Sequence, residues 1–126
     1  MTPSLIKSYE ASALIEPCRI VAFSDVSASS KVAKAAVATA PAIGVSGPLG
    51  GALGEMCDVI LDGQADLDIA ATVTAGAPLM SDASGKGIVA AAATATTNRV
   101  IGFALEPGLS GDRIKIRVTP SLLDRA

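Results

Sequence analysis

The segment Arg113-Ile-Lys-Ile-Arg-Val118 alternates charged and apolar side chains at every step. A period of two belongs to a β-strand with one face in a core and the other in water; a helix cannot gather such a set on one side. What precedes this segment also occurs earlier in the chain. Ile101-Gly102 is followed by a Pro- and Gly-containing turn, Glu106 to Gly111, then by Asp112 and the strand. Ile43-Gly44 is followed by Ser46 to Gly54, then by Glu55-Met-Cys-Asp-Val-Ile-Leu-Asp62. Further upstream, Cys18 to Asp25 and Lys31 to Lys34 match Ala77 to Asp82 and Gly87 to Ala90. Each is an apolar run ending in Ser-Asp, a short turn and an apolar return beside a lysine. The offset is about 57 or 58 residues throughout, so the chain carries a duplicated four-element half, at about 17–63 and 76–118.

The short runs are rich in Ile, Val and Phe and bounded by Gly, Pro, Ser or Asp, which predicts strands. Asp82-Ala-Ser-Gly-Lys-Gly87 reads as a hairpin turn. Leu67 to Thr74 is expected to supply a further strand linking the halves. The Ala-rich stretches Ala33 to Ala40 and Ala90 to Ala95 leave room for at most a turn or two of helix. The sum is an all-β fold, a small barrel or sandwich of about eight short strands with an internal pseudo-two-fold. Residues 1–15 precede the repeat and read as an N-terminal arm, with 16–126 as a single β domain.

Composition narrows the function. The 126 residues include no His, which excludes Ser-His-Asp and Cys-His catalysis and the common His-bearing zinc sites. A net charge of -2 provides no basic footprint for nucleic acid. Lys7, Tyr9 and Glu10 interrupt any export signal, and no apolar stretch is long enough for a membrane helix, so a soluble chain made in the cytoplasm is expected. With 24 Ala and only three aromatic rings, the core is thin, which predicts stabilisation by burying flat surface against other subunits.

Few residues suggest chemistry. Ala83-Ser-Gly-Lys-Gly87 lacks both flanking positions of a phosphate loop, since Met80 stands where a Gly is needed and Gly87 follows the lysine. Asp58, Asp62, Asp66 and Asp68 lack calcium-loop spacing and read as charges guarding a strand edge. Arg113, Lys115 and Arg117 form a basic stripe, solvated by default and able to meet an acidic partner. Cys18 and Cys57 read as two small buried hydrophobes, with a disulfide open if their strands are neighbours. No enzymatic activity, metal or cofactor is expected.

Ala75-Gly-Ala-Pro-Leu-Met-Ser-Asp-Ala-Ser-Gly-Lys-Gly87, the Ala/Thr-rich connector and Val100-Ile-Gly-Phe-Ala-Leu-Glu106 before the final strand resemble the head decoration, or capsid cement, proteins of tailed bacteriophages. The likeness runs from Cys18 to Val118. It implies a structural virion protein that binds the major capsid protein on the capsid exterior, as a homotrimer, and stabilises the expanded head. It implies no partner among nucleic acids or membranes. Contacts to the shell or to other subunits are expected from Pro3, Leu5, Ile6 and Tyr9 of the arm and from Leu49 and Leu53 of the Gly-rich loop. The arm has an alternative use, as a strand closing the barrel of its own subunit. Two other functions fit the pattern: a lipoyl- or biotinyl-like carrier domain modified on Lys86, and a minor structural subunit of a tail or another shell.

Overall fold

In the computed structural model of the chain, Ile114, Ile116 and Val118 are buried while Arg113, Lys115 and Arg117 are exposed, as the alternation requires. The structure describes the backbone of residues 3–24, 31–37, 42–90 and 96–125, and the side chains of 5–24, 31–37, 42–90 and 99–120. The first Ser-Asp turn and parts of both Ala-rich connectors lie outside the described residues. Among those described there is no helix, and nine strands are present. They are β1 (Pro3–Ala11), β2 (Ile20–Phe23), β3 (Lys31–Lys34), β4 (Ala42–Ser46), β5 (Met56–Asp68), β6 (Pro78–Ser81), β7 (Gly87–Val89), β8 (Thr96–Ala104) and β9 (Arg113–Arg125).

The strands form one sheet in the order β1-β3-β2-β4-β5-β9-β8-β6-β7. Strand β1 also pairs with β5, which closes the first five strands into a barrel. The second half repeats the same ladder on β5, β6, β7, β8 and β9, drawn together by a single parallel bridge between Ile69 and Gly87.

The duplication read from sequence recurs bond for bond. Gly54 donates its N–H to the Ala11 carbonyl at 2.8 Å, and Gly111 to the Ile69 carbonyl at 2.9 Å. Ile15 and Gly51 exchange two backbone hydrogen bonds, as do Val73 and Gly108. Glu55 caps its turn by accepting from the Ala52 N–H, and Asp112 accepts from the Leu109 N–H. The 82–87 segment is the expected hairpin, with the Asp82 carboxylate accepting from the N–H groups of Ser84 and Lys86.

Two expectations need correction. Residues 3–11 are not an arm outside the domain; they are β1, paired antiparallel with β5 from Pro3 opposite Gly63 to Glu10 opposite Met56, with register shifts between Pro3 and Ile6. They also have a counterpart in the repeat, the second half of β5, where Leu67 and Ile69 stand for Tyr9 and Ala11. Leu67 to Thr74 is no separate strand. Leu67 and Asp68 end β5, and beyond it Ile69 and Val73 form only isolated bridges. Strand β5 is long because it serves both halves.

Tyr9, Ala11, Ile15, Val21, Val32, Cys57 and Val59 fill the first barrel, with the Tyr9 ring edge-on to Phe23 at 5.9 Å between centroids. Ile20, Ala22, Val45 and Ile60 point the other way. They join Leu67, Ile69, Leu79, Ile101, Ile114 and Ile116 in a larger core between barrel and second half. Each of these Leu and Ile side chains contributes on the order of 1.5–3 kcal/mol by leaving water.

At two equivalent points the backbones touch too closely for a side chain. A Cβ on Gly44 would overlap the Ile60 carbonyl oxygen, and one on Gly102 the Arg117 carbonyl oxygen. Gly44→Ala and Gly102→Ala are each expected to lower stability by about 1–3 kcal/mol in chemical denaturation, from overpacking. A wild-type midpoint in both would contradict this register.

Candidate functional site

The repeat supplies an internal control for its own tip loops. In the first copy, residues 47–55 connect β4 to β5 and are held to residues 12–17 through the Ile15–Gly51 pair. In the second, residues 105–112 connect β8 to β9 and are held to 70–75 through Val73–Gly108. The backbone requirement is the same in both. The outward side chains are not.

Leu14, Leu53 and Met56 are all exposed on the first tip, Leu53 at 71%. Their counterparts at the 57–58 offset are Thr72, Ser110 and Arg113. Leu49 stands 91% exposed in a stretch one residue longer in this copy, counted Gly44 to Gly51 against Gly102 to Gly108. It lines a cavity of about 120 Å³ with Gly47, Pro48, Gly50, Met56 and Asp58. The second tip exposes two leucines of its own, Leu105 and Leu109, where the first has Gly47 and Ala52. Because the copy with Thr72, Ser110 and Arg113 at the equivalent positions folds the same way, Leu14, Leu53 and Met56 are not there to hold the loop. Exposed apolar clusters that a fold does not need are the usual composition of contact surfaces.

Of the expected contact residues, Leu49 and Leu53 lie together on this tip. Leu5 and Ile6 are about half exposed on β1, along the barrel wall, and Pro3 pairs with Gly63 while its side chain lies outside the described residues. Tyr9 does not belong with them. At 7% exposure its ring is barrel core, because the period of two that turns Ser8 outward turns Tyr9 in. Leu14 and Met56 were missed in the sequence; comparing the halves position by position carries the signal.

Several of the charged residues hold the fold together. Asp58, Asp62, Asp66 and Asp68 do not guard an edge, since β5 is an inner strand of the sheet. Asp58 accepts a hydrogen bond from the Ser8 hydroxyl at 2.6 Å. Asp68 accepts from Arg113 Nε at 2.6 Å and from Arg19 Nε at 3.3 Å. Arg19 also meets Glu16 at 2.9 Å, and Glu16 meets Lys34 Nζ at 2.6 Å. This chain of five charges ties β3, β5 and β9 to the segment before β2. Burial would raise the Asp68 carboxyl, but the hydrogen bonds from Arg113 and Arg19 outweigh it and hold the group below its ordinary value. The Lys34 hydrogen bond lowers Glu16 in the same way.

Cys18 and Cys57 are buried free thiols, and burial pushes both upward, away from the reactive thiolate. Among the described residues no His, Cys, Asp and Glu group could hold a metal. The hairpin bearing Lys86 lies against the first half: the Gly85 carbonyl accepts from the Ile20 N–H at 2.7 Å, and the Ser84 carbonyl from Arg19 at 3.0 Å.

The fold has a counterpart among solved structures. It is similar to the head fiber gp8.5 N base of bacteriophage phi29, with a TM-score of 0.67 over 91% of this chain and 93% of that one. At 15% identity the likeness is one of fold alone. The family model of phage cement proteins matches residues 11–120, and the chain belongs to that family. It is a structural protein of the phage virion. No curated protein matches the chain.

The ion network gives a pH dependence. Two carboxyls with lowered folded values contribute stability that is fully present above about pH 5 and is lost as pH falls through those values, below about pH 4. Asp68→Asn is therefore expected to cost about 1–3 kcal/mol at pH 7, with the gap to wild type narrowing toward pH 3 in thermal or urea unfolding. An equal gap at both pH values would contradict the role given to Asp68.

Proposed function

We propose that this protein binds the major capsid protein on the outer surface of the phage head through the first tip, and that it stabilises the expanded shell as a homotrimer without bond-making chemistry. The observation that carries the reading is the difference between the two tips. The same loop is built twice, and one copy alone presents Leu14, Leu49, Leu53 and Met56 to the outside. Membership of the phage cement family supports the shell as the partner.

The physics suits a protein present in many copies. Burying a leucine contributes about 1.5–3 kcal/mol, so a few such residues give a modest contact per subunit. Joining subunits makes the second and third contacts intramolecular, and a modest contact becomes lasting attachment. Clamping follows when one oligomer touches more than one capsomer.

The test is co-sedimentation with expanded heads lacking the protein. Leu49→Asp/Leu53→Asp is expected to weaken binding at least a hundredfold, because two buried leucines correspond to about 3 kcal/mol or more. Its melting temperature should stay near wild type, since both side chains are outside the core. Thr72→Asp/Ser110→Asp on the second tip should bind normally. Wild-type binding by a folded Leu49→Asp/Leu53→Asp protein would overturn the assignment.

A further inference from the structure

The outer wall of the second half is the repeat of a face that the first half buries. In the barrel, Ile20 and Ala22 of β2, Val45 of β4 and Ile60 of β5 point away from the barrel interior and are covered by the second half. Cross-strand register identifies the equivalents. Val45 stands opposite Ile60, and Phe103 stands opposite Arg117. Pro78 stands opposite Phe103, and Met80 opposite Ile88. Val45 is fully buried, whereas Phe103 is 42% exposed, with Leu105 exposed beside it and Pro78, Met80 and Ile88 half-buried. Among the described residues nothing covers this wall.

We infer that the Phe103 wall is a subunit interface, occupied by a second copy of this chain. Two observations favour that occupant. The equivalent wall in the first half is already an interface, and what covers it is a half of this same fold. The charges on the wall also suit self-association. Strand β9 carries Lys115 and Arg117 outward, and the neighbouring strand β5 carries Asp62, Gln64 and Asp66. Within its own sheet Arg117 stands between Phe103 and Gln64, and among the described residues neither Arg117 nor Asp62 forms an ion pair. With a basic row beside an acidic row, the basic row of one copy can meet the acidic row of the next around a closed trimer. An aromatic ring next to an arginine is the composition that dominates binding energy at such interfaces.

The inference rests on the self-association in the functional reading but not on the capsid contact, and its test contains no capsid. The full chain is examined by sedimentation velocity and native mass spectrometry at micromolar concentration, with melting followed by circular dichroism. Wild type is expected to be oligomeric. Phe103→Ala and Arg117→Glu are each expected to weaken association at least tenfold while melting near wild type, and Arg117→Glu/Asp62→Lys should regain it. Oligomeric wild type with both folded single variants unchanged would overturn the Phe103 interface and leave the trimer standing. A monomeric wild type would overturn both, while the first-tip capsid test would be unaffected.

Discussion

Everything in this fold is hung on β5. Its first half closes the barrel against β1 and β4, and its second half carries β9 and through it the second half. A single strand can do both only if its side chains satisfy two interiors in sequence. Cys57 and Val59 face the barrel, Ala65 and Leu67 face the second half, and Ile60 between them fills the seam. Gly63 lies where the pairing passes from one set to the other, opposite both Pro3 and Val118. The Asp68 carboxylate at the strand's end then gathers Arg19 and Arg113, so the two halves are also joined electrostatically there.

An internal repeat separates what folding demands from what function adds. Positions that agree between the halves, such as Gly44 with Gly102 and Gly51 with Gly108, meet a shared steric need. Positions that disagree while the backbone agrees are free of that need. Two groups of disagreement stand out in this molecule. One tip exchanges Thr72, Ser110 and Arg113 for Leu14, Leu53 and Met56, and one wall exchanges Val45 and Ile60 for Phe103 and Arg117. In the second case the reason is internal on one side, because Val45 and Ile60 are covered by the rest of the chain. On the other side we assign it to a second copy of the chain.

Much of this was legible in the sequence. The alternation at Arg113 to Val118, the repeat offset, the hairpin at Asp82 to Gly87 and the all-β class were read from local pattern, and the family from motifs after Val73. The role of residues 3–11 was not fixed. Their partner strand lies some fifty residues away, and Tyr9 and Ala11 share with Leu67 and Ile69 only apolar character, which is too little for a sequence match. The aspartates of β5 were misplaced to an edge for the same kind of reason, since local pattern shows that a strand carries charge but not which strands flank it. The tip was half legible. Leu49 and Leu53 stood out in a Gly-rich loop, whereas Leu14 and Met56 join them only through the Ile15–Gly51 pairing and the bend into β5.

The most direct measurement is an electron cryomicroscopy reconstruction of phage heads carrying the protein, at a resolution that traces its strands. Density is expected on the capsid exterior with Leu14, Leu49, Leu53 and Met56 within about 4 Å of the major capsid protein. Density oriented with that tip toward solvent and another face on the shell would contradict it.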